Sequence, residues 1–336
     1  MDLSITTLLA AFFAGVFATG IGAVWVFIAC ASSFMIGIVT GIDNIASYVF
    51  SPVLNPATTF LAAAAVSGYA NWRGYKGGAC GAADAFALLK KPDCLLLGGV
   101  FAVLGWILNQ LLGQLGLAGF DTIAFAVVLI PMAVKLITEK SMMGKVSEEV
   151  KAVGGRFSHL SSVCYYPGLR TGANKTIFGI GYGVTISLAM YFLVNGLGYT
   201  PALASGIGFG LGGFLLLLPG VPGNHFVGCA ACTALTLLSG GDAAFFVPEN
   251  LITIMVWGAG FGTLALYFAD FFGDFWCNFG KTTIDIPASA IFSSTLVISI
   301  LVDKLGITSI VLPIVVLALC AIWGFLQDSK WKKFAA

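Results

Sequence analysis

Charged side chains are scarce in this chain: Asp, Glu, Lys and Arg together make up 9% of its 336 residues, and histidine occurs only twice. With 59% hydrophobic residues and a mean hydropathy of +0.99, too little polar surface is available to coat a soluble globule of this length. Catalytic signatures are missing too. There is no H-E-x-x-H, no G-x-S-x-G and no nucleotide-binding P-loop, so the chain is not expected to be an enzyme or to hydrolyse ATP. The first residues carry Asp2 in place of a basic n-region, so the first apolar stretch is expected to stay in the membrane. A formal net charge of +1 offers nothing to nucleic acid.

What the chain does have is apolar runs separated by short charged loops, the pattern of an all-α integral membrane protein. Forty-three glycines and abundant alanine suit helices that pack closely in lipid. Of the eight cysteines, Cys30, Cys229, Cys232 and Cys320 read as small buried apolar residues, because no extracellular framework of paired spacings surrounds them.

Apolar segments fall at 5–20, 22–41, 56–68, 94–114, 121–139, 176–197, 200–219, 225–239, 251–272, 286–303 and 306–327, giving about 10–11 transmembrane segments. Residues 5–41 as one helix would reach about 55 Å, too long for a ~30 Å hydrocarbon core, so a break near Gly20-Ile-Gly22 is expected. Residues 56–68 reach only about 20 Å, so an extended, proline-bearing segment must complete that crossing or the helix must stop midway. If loop 140–175 is cytoplasmic, alternation puts Arg73, Lys76, Lys90, Lys91, Lys281, Lys330, Lys332 and Lys333 on its side, and Lys135 at that end of its helix, leaving only Lys304 outside.

Two stretches repeat one order of signals. Ser51-Pro-Val-Leu-Asn55-Pro56, a small-residue helix to Ser67-Gly68, Asp84, Pro92-Asp93 and Asp121-Thr-Ile correspond to Pro219-Gly-Val-Pro-Gly-Asn224-His225, a helix to Ser239-Gly240, Asp242, Pro248-Glu249 and Thr-Ile-Asp285. The expected organisation is membrane repeat 1 at 1–139, a cytoplasmic linker at 140–175, membrane repeat 2 at 176–305, and a terminal transmembrane helix with a basic tail at 306–336. Five segments per copy make the second copy inverted relative to the first. The short broken helices then point their N-termini toward the middle from opposite sides, as in transporters built on inverted repeats.

Helix N-termini carry partial positive charge and unpaired N–H donors, which suit an anion or a carbonyl-bearing solute. Asn55, Thr58, Thr59, Asn224, His225, Cys229 and Cys232 are the candidate substrate-binding residues. An Asn before a helix and a Pro in its first turn are also ordinary capping features, and it is their occurrence at corresponding places in two copies that gives them weight. His225, Cys229 and Cys232 share one helical face and could offer a soft metal three ligands, but a fourth is lacking, so no metal is expected. Among the acids near the membrane, Asp270, Asp285 and Asp121 are the candidates for ion coupling, to H+ or Na+. Asp43, beside Asn44, reads as an interfacial acid. Asp84, Asp93, Asp242 and Glu249 read as helix starts, His159 as exposed, and the basic C-terminal end as an anchor on anionic lipid.

The reading is a multi-pass permease of a bacterial inner membrane, probing no nucleic acid and using no resident cofactor. It moves a small anionic or neutral polar solute between two repeats, as a secondary transporter, alone or as a homo-oligomer in the lipid bilayer. A passive small-solute channel is the alternative. An intramembrane enzyme and a metal-handling protein fit less well.

Overall fold

The computed structural model describes residues 2–42, 44–76, 82–161, 163, 167–218 and 224–335, without the side chains of 333–335. Asp43, Cys80, Cys164 and the 219–223 segment therefore lie outside the described residues. Among those described the chain is all-helical, with no strand.

The break at Gly22 is real. Gly22, with a φ of 102° and the carbonyl of Ala83 where a side chain would stand, separates α1 (Ile5–Ile21) from α2 (Ala23–Thr40). After a short α3 (Ile45–Val49) the chain re-enters as irregular backbone and starts α4 (Thr59–Trp72). Then follow α5 (Pro92–Leu112), with proline in its first turn, and α6 (Thr122–Glu139), capped by Asp121. A connector carrying α7 (Glu148–Ala152) leads to α8 (Gly172–Tyr191), α9 (Pro201–Ala204) and α10 (Gly206–Phe214). The last elements are α11 (His225–Leu238), α12 (Leu251–Phe272), α13 (Ile286–Ile298), capped by Asp285, and α14 (Val311–Ala335). Among the described residues, seven helices are long and apolar enough to cross a membrane.

Burial is distributed as lipid demands. Large apolar side chains such as Phe13, Phe17, Ile36, Ile177 and Leu319 are exposed, while hydroxyls of Ser187, Thr263, Ser289 and Ser294 are buried. Only hydrocarbon solvates such a surface without a large penalty. The chain is an integral membrane protein.

Small residues let helices meet backbone to backbone. A methyl group at Gly15 of α1 would strike the Gly98 carbonyl of α5, and one at Gly183 of α8 would strike the Gly258 carbonyl of α12. Packing between the two parts of the chain is antiparallel. Along α10, Gly206 meets Phe34 of α2 whereas Gly213 meets Ala31 and Phe27. The start of α6 bonds toward the far end of α13, Asp121 N to Thr295 Oγ1 at 3.1 Å, and the end of α6 bonds the entry to α13, Thr282 N to Glu139 at 2.7 Å.

The basic loops gather at one end. There Asn71 donates to the Lys281 carbonyl, Arg156 to the Asp274 carbonyl, and Glu139 accepts from Lys281 N. At the opposite end Tyr199 donates to the Ile38 carbonyl and Lys304 to the Gly116 carbonyl. The first short helix, α4, runs from the middle to the basic end, where Ser67 accepts from Thr283 N. The second, α11, runs from the middle to the opposite end, where Thr233 and Leu237 cover Gly119.

Candidate functional site

The starts of α4 and α11 converge on one cavity of about 240 Å³. Pro56 and Phe60 line it from the first, His225 and Cys229 from the second, and Asp121 and Asp285 reach it from the caps of α6 and α13. The rest of the lining is apolar, with Phe27, Phe50 and Phe209 prominent.

The entrance to α4 is closed on itself. Asn55 accepts from Ala57 N at 2.8 Å and donates to the Phe50 carbonyl at 3.1 Å. Thr58 donates to the carbonyls of Pro52 and Asn55, and Thr59 to that of Asn55 at 3.0 Å. All three side chains are buried and spent on the turn that lets a short helix begin inside the membrane. None of the three lines the cavity.

The entrance to α11 differs. Asn224 Oδ1 and His225 Nδ1 are buried, at 6% and 4% residue exposure, and neither has a hydrogen-bonding partner among the described residues. A buried polar atom left unpaired costs about 1–3 kcal/mol, so these two atoms mark a place where a further group can bind. His225 lines the cavity; Asn224, one residue earlier, does not. Cys229 lines it one turn on, and Cys232 is buried in the core.

Both carboxylates are held as helix caps. Asp121 Oδ1 accepts from Ala124 N at 2.8 Å and Asp285 Oδ2 from Ala288 N at 2.7 Å. Each cap places a carboxyl group at the positive end of its helix, where it satisfies an amide that the helix leaves unpaired. Asp270, the third acid singled out by sequence, stands apart from the cavity. It accepts from Lys175 at 2.6 Å and Arg170 at 3.2 Å, and Arg170 also binds Asp274 at 2.9 Å.

Cys229-Ala-Ala-Cys232 forms a C-x-x-C run, but among the described residues no three His, Cys, Asp or Glu side chains are grouped to hold a metal ion. The aromatic lining went unread in the sequence. Phe27 lies tilted against His225, with 4.6 Å between ring centroids, and meets Phe60 and Phe209 at 6.0 and 5.2 Å. A phenylalanine within an apolar run carries no signal of which face it occupies.

Fold and site together define an all-α integral membrane protein with an acid-bearing cavity between its helices. A model described as a family of unknown function (DUF7973) matches residues 1–154, a little under half of the chain. No curated protein and no solved structure matches.

Proposed function

We infer that the chain is a multi-pass permease that moves a small solute through the central cavity, working as a secondary transporter on two five-helix halves inserted in opposite orientations. The packing supports the inverted halves. Contacts of α1 with α5, α4 with α5 and α4 with α6 have counterparts in α8 with α12, α11 with α12 and α11 with α13. The equivalent helices α2 and α10 pair antiparallel, as do α6 and α13, which is what a two-fold axis in the membrane plane requires.

One observation carries the reading: two short helices that run to opposite ends begin at the same cavity, and the two equivalent acidic caps line it. A site at the junction of two inverted halves is where transporters of this build expose a solute to either side in turn. The acids in the lining favour a coupled transporter over a passive channel, which needs no coupling site. Asp121 and Asp285 are the groups through which H+ or Na+ would couple. An intramembrane enzyme is less well supported, since His225 Nδ1 has no nucleophile within hydrogen-bonding reach among the described residues.

Proteoliposomes holding the purified chain test this. Uptake of radiolabelled alkylamines, carboxylates and polyols is measured with and without imposed pH and sodium gradients. Saturable uptake of one class, driven by a gradient, is expected. Unsaturable flux indifferent to both gradients would favour the channel, and no flux of any class would end the transport reading.

A further inference from the structure

We propose that the central cavity binds a small alkylammonium ion, its charge beside Asp121 and Asp285 and its alkyl groups against the rings of Phe27, Phe60 and Phe209. This names the solute class and rests on the transport reading above.

The sign of the charge follows from the lining. Among the described residues it carries two acids, Asp121 and Asp285, and no Lys or Arg; His225 and Cys229 are the other titratable groups described in it. Each carboxyl group has one oxygen engaged by its own helix. An anion entering this space meets two acids and no described cation, in surroundings that screen poorly. The short helices do little to reverse that. The amides at the start of α4 already bond within the turn, Ala57 N to Asn55 Oδ1, Thr58 N and Thr59 N to the Asn55 carbonyl, and Leu61 N to the Pro56 carbonyl. The N-termini of α6 and α13 are covered by the acids themselves.

The rest of the lining selects among cations. A hard metal ion needs about six oxygen ligands, and beyond the carboxylates this wall is mostly carbon. Phenyl faces, by contrast, attract alkylated ammonium groups, which keep their charge while shedding water cheaply. Phe27 and Phe209 meet edge to face at 78°, and Phe27 and Phe60 at 79°, forming a corner of rings. His225 also lines the cavity, and its buried Nδ1 has no hydrogen-bonding partner among the described residues.

Isothermal titration of the full chain in detergent with methylammonium and tetramethylammonium chloride tests the assignment, with sodium chloride and sodium acetate as controls. Saturable binding of methylammonium is expected, weakened at least about tenfold in Asp121→Asn and in Asp285→Asn. Asn caps a helix as well as Asp, so both variants should keep their fold, and unchanged thermal unfolding verifies it. Phe27→Leu should weaken tetramethylammonium more than methylammonium. Absent ammonium binding, binding indifferent to both Asn substitutions, or displacement by acetate overturns the assignment. Methylammonium binding without flux in proteoliposomes would sink transport and leave the ligand class standing. Gradient-driven uptake of a carboxylate or polyol with no ammonium binding would do the reverse.

Discussion

Phe27 of α2 lies against His225, the first residue of α11, with ring centroids 4.6 Å apart and planes inclined at 41°. The imidazole thus has two separable features, its bulk beside Phe27 and a buried Nδ1 with no partner among the described residues. His225→Phe keeps the first and removes the second. It is expected to leave the thermal midpoint within a few degrees and to lower uptake about tenfold, as loss of one hydrogen bond worth roughly 1.4 kcal/mol predicts. His225→Ala removes both and should cost about 2–4 kcal/mol of stability besides. Asn224→Ala should impair uptake without unfolding the chain. Full uptake in His225→Phe and Asn224→Ala alike would put the pathway elsewhere.

Asp270 offers the opposite case, an acid in the membrane region that serves the scaffold. It ties Lys175 at the start of α8 to Arg170 of the connector, and Arg170 holds Asp274, whose side chain is 2% exposed. Arg170→Ala leaves a buried carboxylate without its cation and is expected to cost about 3–5 kcal/mol. A double-mutant cycle with Asp274→Ala should recover much of that loss. Asp270→Asn should lower the unfolding midpoint while the folded fraction keeps its gradient dependence. The converse, full stability with coupling lost, would make Asp270 the coupling acid.

Element ends and contacts differ in how plainly the sequence marks them. Segment ends were legible wherever a cap marked them chemically: 121–139 is found at Thr122–Glu139 behind Asp121, and 286–303 begins at Ile286 behind Asp285. The 56–68 segment instead starts at Thr59, because Asn55 gathers the next amides into turns, and runs on to Trp72, where Asn71 finds the Lys281 carbonyl. The 200–219 segment is split at Ser205. In the last segment the polar stretch from Gln327 onward continues the helix past the apolar end. His225, Asp121 and Asp285 stood out as polar residues beside apolar runs. Asn55 and Asn224 look alike in sequence, yet one is consumed by its own turn and the other keeps an acceptor with no partner among the described residues. Asp270 looked isolated because Arg170 and Lys175 lie about a hundred residues away along the chain.

His159, expected to be exposed, is instead tucked beside Asp328 of α14, 3.2 Å from its Oδ1, with 14% of its side chain exposed. Asp328 also accepts from Gly172 N, so this corner joins the connector, α8 and α14. Burial lowers the His159 pKa below its ordinary 6.5, an effect that the Asp328 charge only partly opposes. The unfolded chain therefore takes up a proton at this position before the folded chain does. Stability is retained above pH 6.5 and falls as pH drops below it, until the folded value is reached. Unfolding midpoints between pH 7.5 and 5 should decline less steeply in His159→Gln than in the unmodified chain. Identical slopes would mean that His159 titrates alike in both states.

One carboxylate joins the two halves of the structure at the basic end. Glu139 Oε2 pairs with Lys135, whose side chain is fully buried, at 2.7 Å, while Oε1 accepts from Lys281 N, Thr282 N and Thr282 Oγ1. Thr282 packs on Gly68 at the end of α4, and the next amide, Thr283 N, reaches Ser67. The partners are unequally dependent on each other. Glu139→Ala strands a buried ammonium and frees three donors, so a loss of about 3–5 kcal/mol is expected. Lys135→Met leaves a partly exposed carboxylate that keeps its three donors, and should cost about 1 kcal/mol. The combined Lys135→Met and Glu139→Gln variant removes the stranded charge and is expected to be more stable than Glu139→Ala alone. Unfolding in detergent orders the three variants, and equal losses in the two single variants would show that the pair acts as a symmetric ion pair with no separate part in holding the entry to α13.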